Sequence, residues 1–282
     1  NPLLVEKTLT THITDCSGYS TTFVEIAKKC GIRASLVAGL LKSNGKVHDN
    51  GHGWCAAYTD GSWKLYDPTM GSVVNLEGTI TKNINYTYFQ ISPSILIQSH
   101  YPFDDSWQLL DRPLNFSEFK KGTPSGRETS YNFNDSISAF EKQSEIGKMR
   151  LYYSRIERNE IKHHTVKELN NLIKYNEQVL LFNSANHLYK EFIELYKNYA
   201  AYRNNRFIPM KSDPEIKLIF TRATERLNSS KITLSQTTGS ELKSSIKALR
   251  KIIEDSEEKM DKQEEFLNSY LKTPKNQRDN LF

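Results

Sequence analysis

Apolar and polar positions recur with different periods along this chain, and each change of period marks a change of element. From Cys16 to Cys30, the residues Tyr19, Phe23, Ile26, Ala27 and Cys30 fall at three- and four-residue spacings, which predicts a helix with one buried face. Gly31 is a natural stop, since a residue without Cβ readily takes the left-handed conformation that ends helices. Asp15 or Thr14 supplies the N-cap. Between His52 and Asp67 the period falls to two: HGWCAAYT and SWKLYD flank Asp60-Gly61, a turn signal that predicts a β-hairpin. With a two-residue loop, Thr59 pairs with Ser62 and Trp54 stands opposite Asp67. A four-residue loop on the same turn keeps this register, and a three-residue loop destroys it.

Farther on, the helical period lengthens into long runs. One helix is expected from about Thr165 to Tyr202, with Leu169, Leu172, Ile173, Leu180, Leu188, Phe192, Leu195 and Tyr199 among its apolar positions. Asp213-Pro214 opens the next, with a cap and a first-turn proline. A last helix, from about Ser240 to Leu271, places Leu242, Ile246, Leu249, Ile253, Met260, Leu267 and Tyr270 near a seam of period 3.5. Residues 120–135 are poor in aliphatic side chains and rich in Gly, Ser, Thr and Asn, as in a linker or long loop. The expected organisation is a domain at 1–120, a linker at 121–145 and a helical bundle or hairpin domain at 146–282.

Charge divides along the same lines. Residues 146–282 hold 25 Lys and Arg against 18 Asp and Glu, a net of +7, and the first 145 a net of −2. The signs alternate along helix faces and no block of five like charges occurs, so a solvated surface, or one that docks a protein partner, is expected rather than a nucleic-acid interface. No apolar run reaches the eighteen residues that a spanning helix needs. The chain begins with Asn and shows no charged-then-apolar leader, as expected of a processed chain or a fragment.

The candidate chemistry lies in the first 70 residues. Cys16 falls in the first turn of its helix, where unpaired N–H groups and the dipole favour a thiolate and could hold a developing oxyanion. In the hairpin register His52, Trp54, Ala56 and Tyr58 share a face with Trp63, Leu65 and Asp67. His52 and Asp67 are then diagonal neighbours with β-carbons roughly 5–8 Å apart, within reach of a hydrogen bond. Packed on the Cys16 helix terminus, the pair would complete a triad of thiolate, general base and orienting carboxylate. Taken singly, each residue also fits a structural role: a small buried side chain, a satisfied strand histidine, a turn former before Pro68.

The remaining candidates add less. Cys30 lies roughly 20 Å from Cys16 along the helix, too far for a disulfide. Cys55 points to the hairpin face opposite His52; a Cys30–Cys55 bridge is conceivable, but two buried free thiols are favoured. His100, before Tyr101-Pro102, is expected in a turn with a structural role, and His163 and His164 are expected to diverge on a helix. No Cys-x-x-Cys or His-x-x-x-His spacing offers a zinc site.

These residues also resemble a known family. CSGYS at Cys16–Ser20, VAG at Val37–Gly39, HGW at His52–Trp54, DGSW at Asp60–Trp63 and YDPT at Tyr66–Thr69 resemble the transglutaminase-like superfamily. The segment Ser92–Phe119 is similar to the part that follows the core in its kyphoscoliosis-peptidase branch. The resemblance implies an α+β, papain-like core, with a helix packed on an antiparallel sheet, followed by an all-α C-terminal domain. It implies Cys16, His52 and Asp67 as the catalytic residues and acyl transfer through a thioester, with neither metal nor organic cofactor. Hydrolysis of a protein or peptide amide is the favoured reaction, with cross-linking and an inactive interaction module as alternatives. Gly53 and Cys55 stand where many relatives have Ala and Asn.

Overall fold

A computed structural model of the chain describes residues 2–12, 14–74, 80–124 and 130–282. It divides into two compact units, residues 1–171 and 172–282. The first opens with helices α1 (Pro2–Thr11) and α2 (Cys16–Lys29), then strands β1 (Ala34–Ser43), β2 (Lys46–Thr59) and β3 (Ser62–Tyr66). The short elements α3 (Pro68–Gly71), β4 (Ser72–Val74), β5 (Ile80–Ile84), β6 (Phe89–Ile91), α4 (Pro93–Leu96) and β7 (His100–Pro102) follow. The unit ends with α5 (Phe116–Lys121), α6 (Phe133–Glu141), α7 (Glu145–Arg158) and the first residues of α8 (His164–Asn204).

Five strands form one antiparallel sheet in the order β6-β3-β2-β1-β7. Its hairpin pairs Thr59 with Ser62 and Cys55 with Tyr66, around Asp60 and Gly61 at φ 50° and 73°. Both loop residues are left-handed, the demand that Asp-Gly meets in this turn. The two sheet faces bury different sets. Trp54, Ala56, Trp63 and Leu65 join Val37, Leu96 and Trp107 in one core. Cys55, Ala57 and Tyr66 meet Val24, Phe23 and Ile32 from α2 and the turn that follows it.

The first unit ends later than the composition shift implies. Within the expected linker, α6 is a helix whose Ile137 is fully buried, and residues 125–129 lie outside the described ones. Long-range bonds hold α6 and α7 to the sheet unit. Arg33, just before β1, bonds Glu141 at 2.5 and 3.3 Å. Arg155 on α7 donates to the buried Asp104 carboxylate at 2.9 Å and to the Ser136 carbonyl at 2.8 Å, and Asn159 donates to the Phe103 carbonyl at 2.9 Å.

The second unit is helical. The rest of α8, α9 (Asp213–Ser235) and α10 (Lys243–Lys272) bury one core containing Ala185, Phe192, Tyr199, Phe220, Leu227, Ile253, Met260 and Leu267. The polar gap in the α10 seam, Ser256, bonds Tyr189 of α8 at 3.0 Å. Ser230 of α9 donates to the Ala185 carbonyl at 2.8 Å. Among the described residues no helix is long and apolar enough to cross a membrane.

One glycine marks a close approach on which the sheet unit depends. Gly39 pairs with His52 on one side and Pro102 on the other, and a Cβ there would overlap the Tyr101 carbonyl and the Trp54 ring. Gly53 differs: a Cβ there would meet Ser20 Oγ at 3.8 Å and the Cys16 carbonyl at 3.9 Å, ordinary contact. Gly39→Ala is therefore expected to destabilise the chain by about 1–3 kcal/mol through overpacking. Gly53→Ala should change stability by less than about 1 kcal/mol, and urea titration of both variants measures the contrast.

Candidate active site

Cys16 is the first residue of α2, and Asp15 is its N-cap, accepting from the Ser17 and Gly18 N–H groups at 3.0 and 3.1 Å. The Tyr19 N–H goes to the Asp15 carbonyl at 3.1 Å. The cap thus takes up first-turn donors expected to be available to an oxyanion. Gly18 is required by the entry of the chain into the helix, since a Cβ would overlap the Thr14 side chain. On the next turn Ser20 donates to the Gly53 carbonyl at 2.8 Å, and this bond sets the start of α2 against β2. Cys16 there lies beside His52 and the Gly53 backbone, both of which lower its thiol.

His52 and Asp67 meet as the hairpin register requires. His52 Nε2–H donates to Asp67 Oδ2 at 2.7 Å, with the side chains 6% and 0% exposed. This leaves Nδ1 for the contact with Cys16. Asp67 ends β3 and caps α3: its Oδ1 accepts the Thr69 and Met70 N–H groups at 2.9 and 3.0 Å. Its own N–H donates to the Tyr88 carbonyl at 3.0 Å.

His100 also enters this cluster, which the sequence did not reveal. It is not in a turn: it lies on β7, is 2% exposed, and its Nε2–H donates to Asp67 Oδ2 at 3.0 Å. Its Nδ1 meets Ser99 Oγ at 2.8 Å. The available signal was Ser92–Phe119, the segment that carried the resemblance beyond the hairpin. His52, Asp67 and His100 offer ligand atoms within 4.8 Å of one another, but holding a cation would cost the hydrogen bonds they make together.

The electrostatics follow from burial and these bonds. Burial alone would raise the Asp67 carboxyl, yet hydrogen bonds from His100 and His52 outweigh it and hold Asp67 well below the usual carboxylate range. Burial pulls the His52 imidazolium down, but Asp67 and Cys16 together push it up to about 9. The bond to His52 lowers the Cys16 thiol, against partial burial and with help from Gly53. His100 has no thiol partner, and burial takes it below the ordinary histidine value despite Asp67. Cys16 and His52 thus favour a thiolate–imidazolium pair near neutrality.

The other candidates stay apart. Cys55 is buried on the α2 side of the sheet, near the Ser20 carbonyl at 3.5 Å, and burial pushes its thiol up to about 12. Cys30 is free and exposed, not buried as expected. His163 precedes α8 rather than lying on it, and its ring stacks on His164 at 4.6 Å instead of diverging.

With this geometry in view, comparison with known proteins places the fold. Residues 2–68 match the model of the Transglutaminase-like superfamily. The chain is similar to Kyphoscoliosis peptidase of Homo sapiens, 32% identical over 122 residues, covering 40% of this chain and 18% of that protein. It is also similar to Lim and transglutaminase domain protein ltd-1 of Caenorhabditis elegans, 27% identical over 137 residues (42% of this chain, 19% of that one). Hillarin of Drosophila melanogaster is 26% identical over 121 residues (36% and 15%). The matches thus cover less than a fifth of these relatives' length. The family match contains Cys16, His52 and Asp67 but ends before His100.

The pair predicts a two-step pH dependence for thiol labelling. Iodoacetamide should alkylate native Cys16 from a pH below that of an ordinary thiol, with a second change near pH 9, where His52 loses its proton. His52→Ala should collapse this to a single titration at about 8.5, and Cys55 should remain unlabelled until the chain unfolds. Peptide mass mapping after timed labelling reads all of these outcomes.

Proposed function

We propose that the N-terminal unit is a cysteine-dependent acyl-transfer enzyme that hydrolyses an amide of a peptide or protein. The observation that carries this reading is the 2.7 Å bond of His52 to the buried Asp67 carboxylate, with Cys16 beside the same imidazole and lowered by it. In the proposed reaction the Cys16 thiolate attacks the amide carbonyl and forms a C–S bond. The imidazolium of His52 gives its Nδ1 proton to the leaving nitrogen as the C–N bond breaks, leaving a thioester. Neutral His52 then takes a proton from water as the water oxygen attacks the thioester. The C–S bond breaks, a carboxylic acid departs and the thiolate–imidazolium pair returns. Throughout, Asp67 holds the Nε2–H of His52 and so presents Nδ1 to the reaction.

These steps balance with substrate and water alone. An amine in place of water would release the thioester as a cross-link, and the name of the similar Homo sapiens protein, a peptidase, favours water. The partly exposed Cys16 gives a substrate carbonyl a way to the sulfur, while His52 and Asp67 stay buried behind it.

A cysteine-directed activity probe on the full chain, followed by peptide profiling with and without a primary amine, tests the proposal. Cys16 should react far faster than Cys30, Cys16→Ser should abolish probe labelling, and products should carry free carboxylates. Asp67→Asn should lower turnover by about 10²–10⁴-fold, the scale on which loss of an orienting carboxylate acts. Amine incorporation without hydrolysis would favour cross-linking, and a Cys16 no more reactive than Cys30 would leave an inactive module.

A further inference from the structure

We propose that His100 is a positioning residue of this site: it donates to the same Asp67 oxygen as His52 and fixes the direction in which that oxygen aims the His52 ring. This inference rests on Cys16, His52 and Asp67 being the catalytic set. A carboxylate oxygen has two lone pairs, and on Asp67 Oδ2 both are used, by His52 at 2.7 Å and His100 at 3.0 Å. Oδ1 is anchored by the Thr69 and Met70 amides. Without His100, the plane of the carboxylate would be set by that anchor and by the ring it is meant to orient.

His100 is itself held in the required form. The Asp67 carboxylate can only accept, so the neutral ring carries its proton on Nε2, and its Nδ1 lies 2.8 Å from Ser99 Oγ, whose hydroxyl also reaches the Leu96 carbonyl at 3.4 Å. Its ring lies edge-on to Trp54, with centroids 5.2 Å apart and planes at 86°, and 5.6 Å from His52. Burial keeps it neutral, so it donates to Asp67 without placing a second positive charge against His52. Two imidazoles face Asp67, His52 from β2 and His100 from β7, while Cys55 senses its charge from the other side of the sheet. Cys16 on α2 faces His52, and the Asp15 carboxylate faces Cys16.

The test uses the full chain and the pH profile of Cys16 alkylation in wild type, His100→Leu and His100→Gln. Leu fills the space without a donor, and the Gln amide offers a donor at similar reach. Loss of one bond to an ionised group predicts a roughly tenfold slower reaction near neutrality for His100→Leu, with a displaced step near pH 9. His100→Gln should recover to within about threefold of wild type. Superimposable profiles for wild type and His100→Leu would overturn the proposal, as would equal impairment of Leu and Gln. Should either variant fail to fold, ¹⁵N spectra of the wild-type histidines decide: His100 is expected as the neutral Nε2–H tautomer, titrating below an ordinary histidine. Titration above the ordinary histidine value, or an Nδ1–H tautomer, overturns the role. A wild-type Cys16 that labels no faster than Cys30 and ignores His52→Ala removes the catalytic reading, whereas a fast Cys16 indifferent to His100 removes only the positioning role.

Discussion

The burial of Asp67 is the constraint around which the N-terminal unit is arranged. A carboxylate with almost no exposed surface stays ionised only if every lone pair finds a donor, and here two backbone amides and two imidazoles supply them. Those donors come from three separate places, namely the first turn of α3, the interior of β2 and the edge strand β7. The charge so created is what allows His52 to keep its proton to a high pH in a buried setting. The protonated His52 in turn lowers Cys16. Electrostatic order therefore runs from Asp67 outward to the thiol, although the proposed chemistry runs the other way.

The scaffold supplies this arrangement largely by leaving space. Gly39 has no side chain where β1 runs between β2 and β7, so the Trp54 ring and the Tyr101 backbone close over it. That closure packs the Trp54 edge against His100. Gly18 lets the chain fold back beside Thr14 at the start of α2. Gly53 does less: its surroundings accept a Cβ. What sets α2 against β2 at that point is the bond from Ser20 to the Gly53 carbonyl. The same packing puts Cys55 under the helix, buried and with its thiol raised, so two cysteines on neighbouring elements have opposite character.

How much of this could be read from the sequence depended on contact distance along the chain. The α2 helix and the hairpin are local, and Asp60-Gly61 specifies a loop conformation that only one register accommodates, so counting outward brings His52 beside Asp67. The long helices were equally legible, because a 3.5–3.6 period over thirty residues leaves little ambiguity. His100 was not legible: β7 has three residues, too few for a periodic signal, and it pairs with β1 from some sixty positions away. The Arg155–Asp104 pair was hidden for the same reason. Its helix has the composition of the C-terminal helices, yet a buried ion pair across 51 positions ties it to the sheet unit. Part of the oxyanion expectation meets a nearer competitor: the Asp15 carboxylate takes the Ser17 and Gly18 amides of the first turn.

Two imidazoles on one carboxylate oxygen pose a question of assignment that the far side of each ring answers. Both donate through Nε2 to Asp67 Oδ2 and both are buried, so Asp67 alone does not distinguish them. At Nδ1 they differ. His52 meets a thiol that can surrender a proton and become a negative partner, which favours the charged ring. His100 meets the Ser99 hydroxyl, which can donate to a neutral ring but carries no charge to offset burial. The pair therefore settles with one charged and one neutral ring, since two positive rings 5.6 Å apart would face a single negative charge. The identity of the general base in the proposed reaction is thus set less by the shared carboxylate than by which ring has a cysteine beside it.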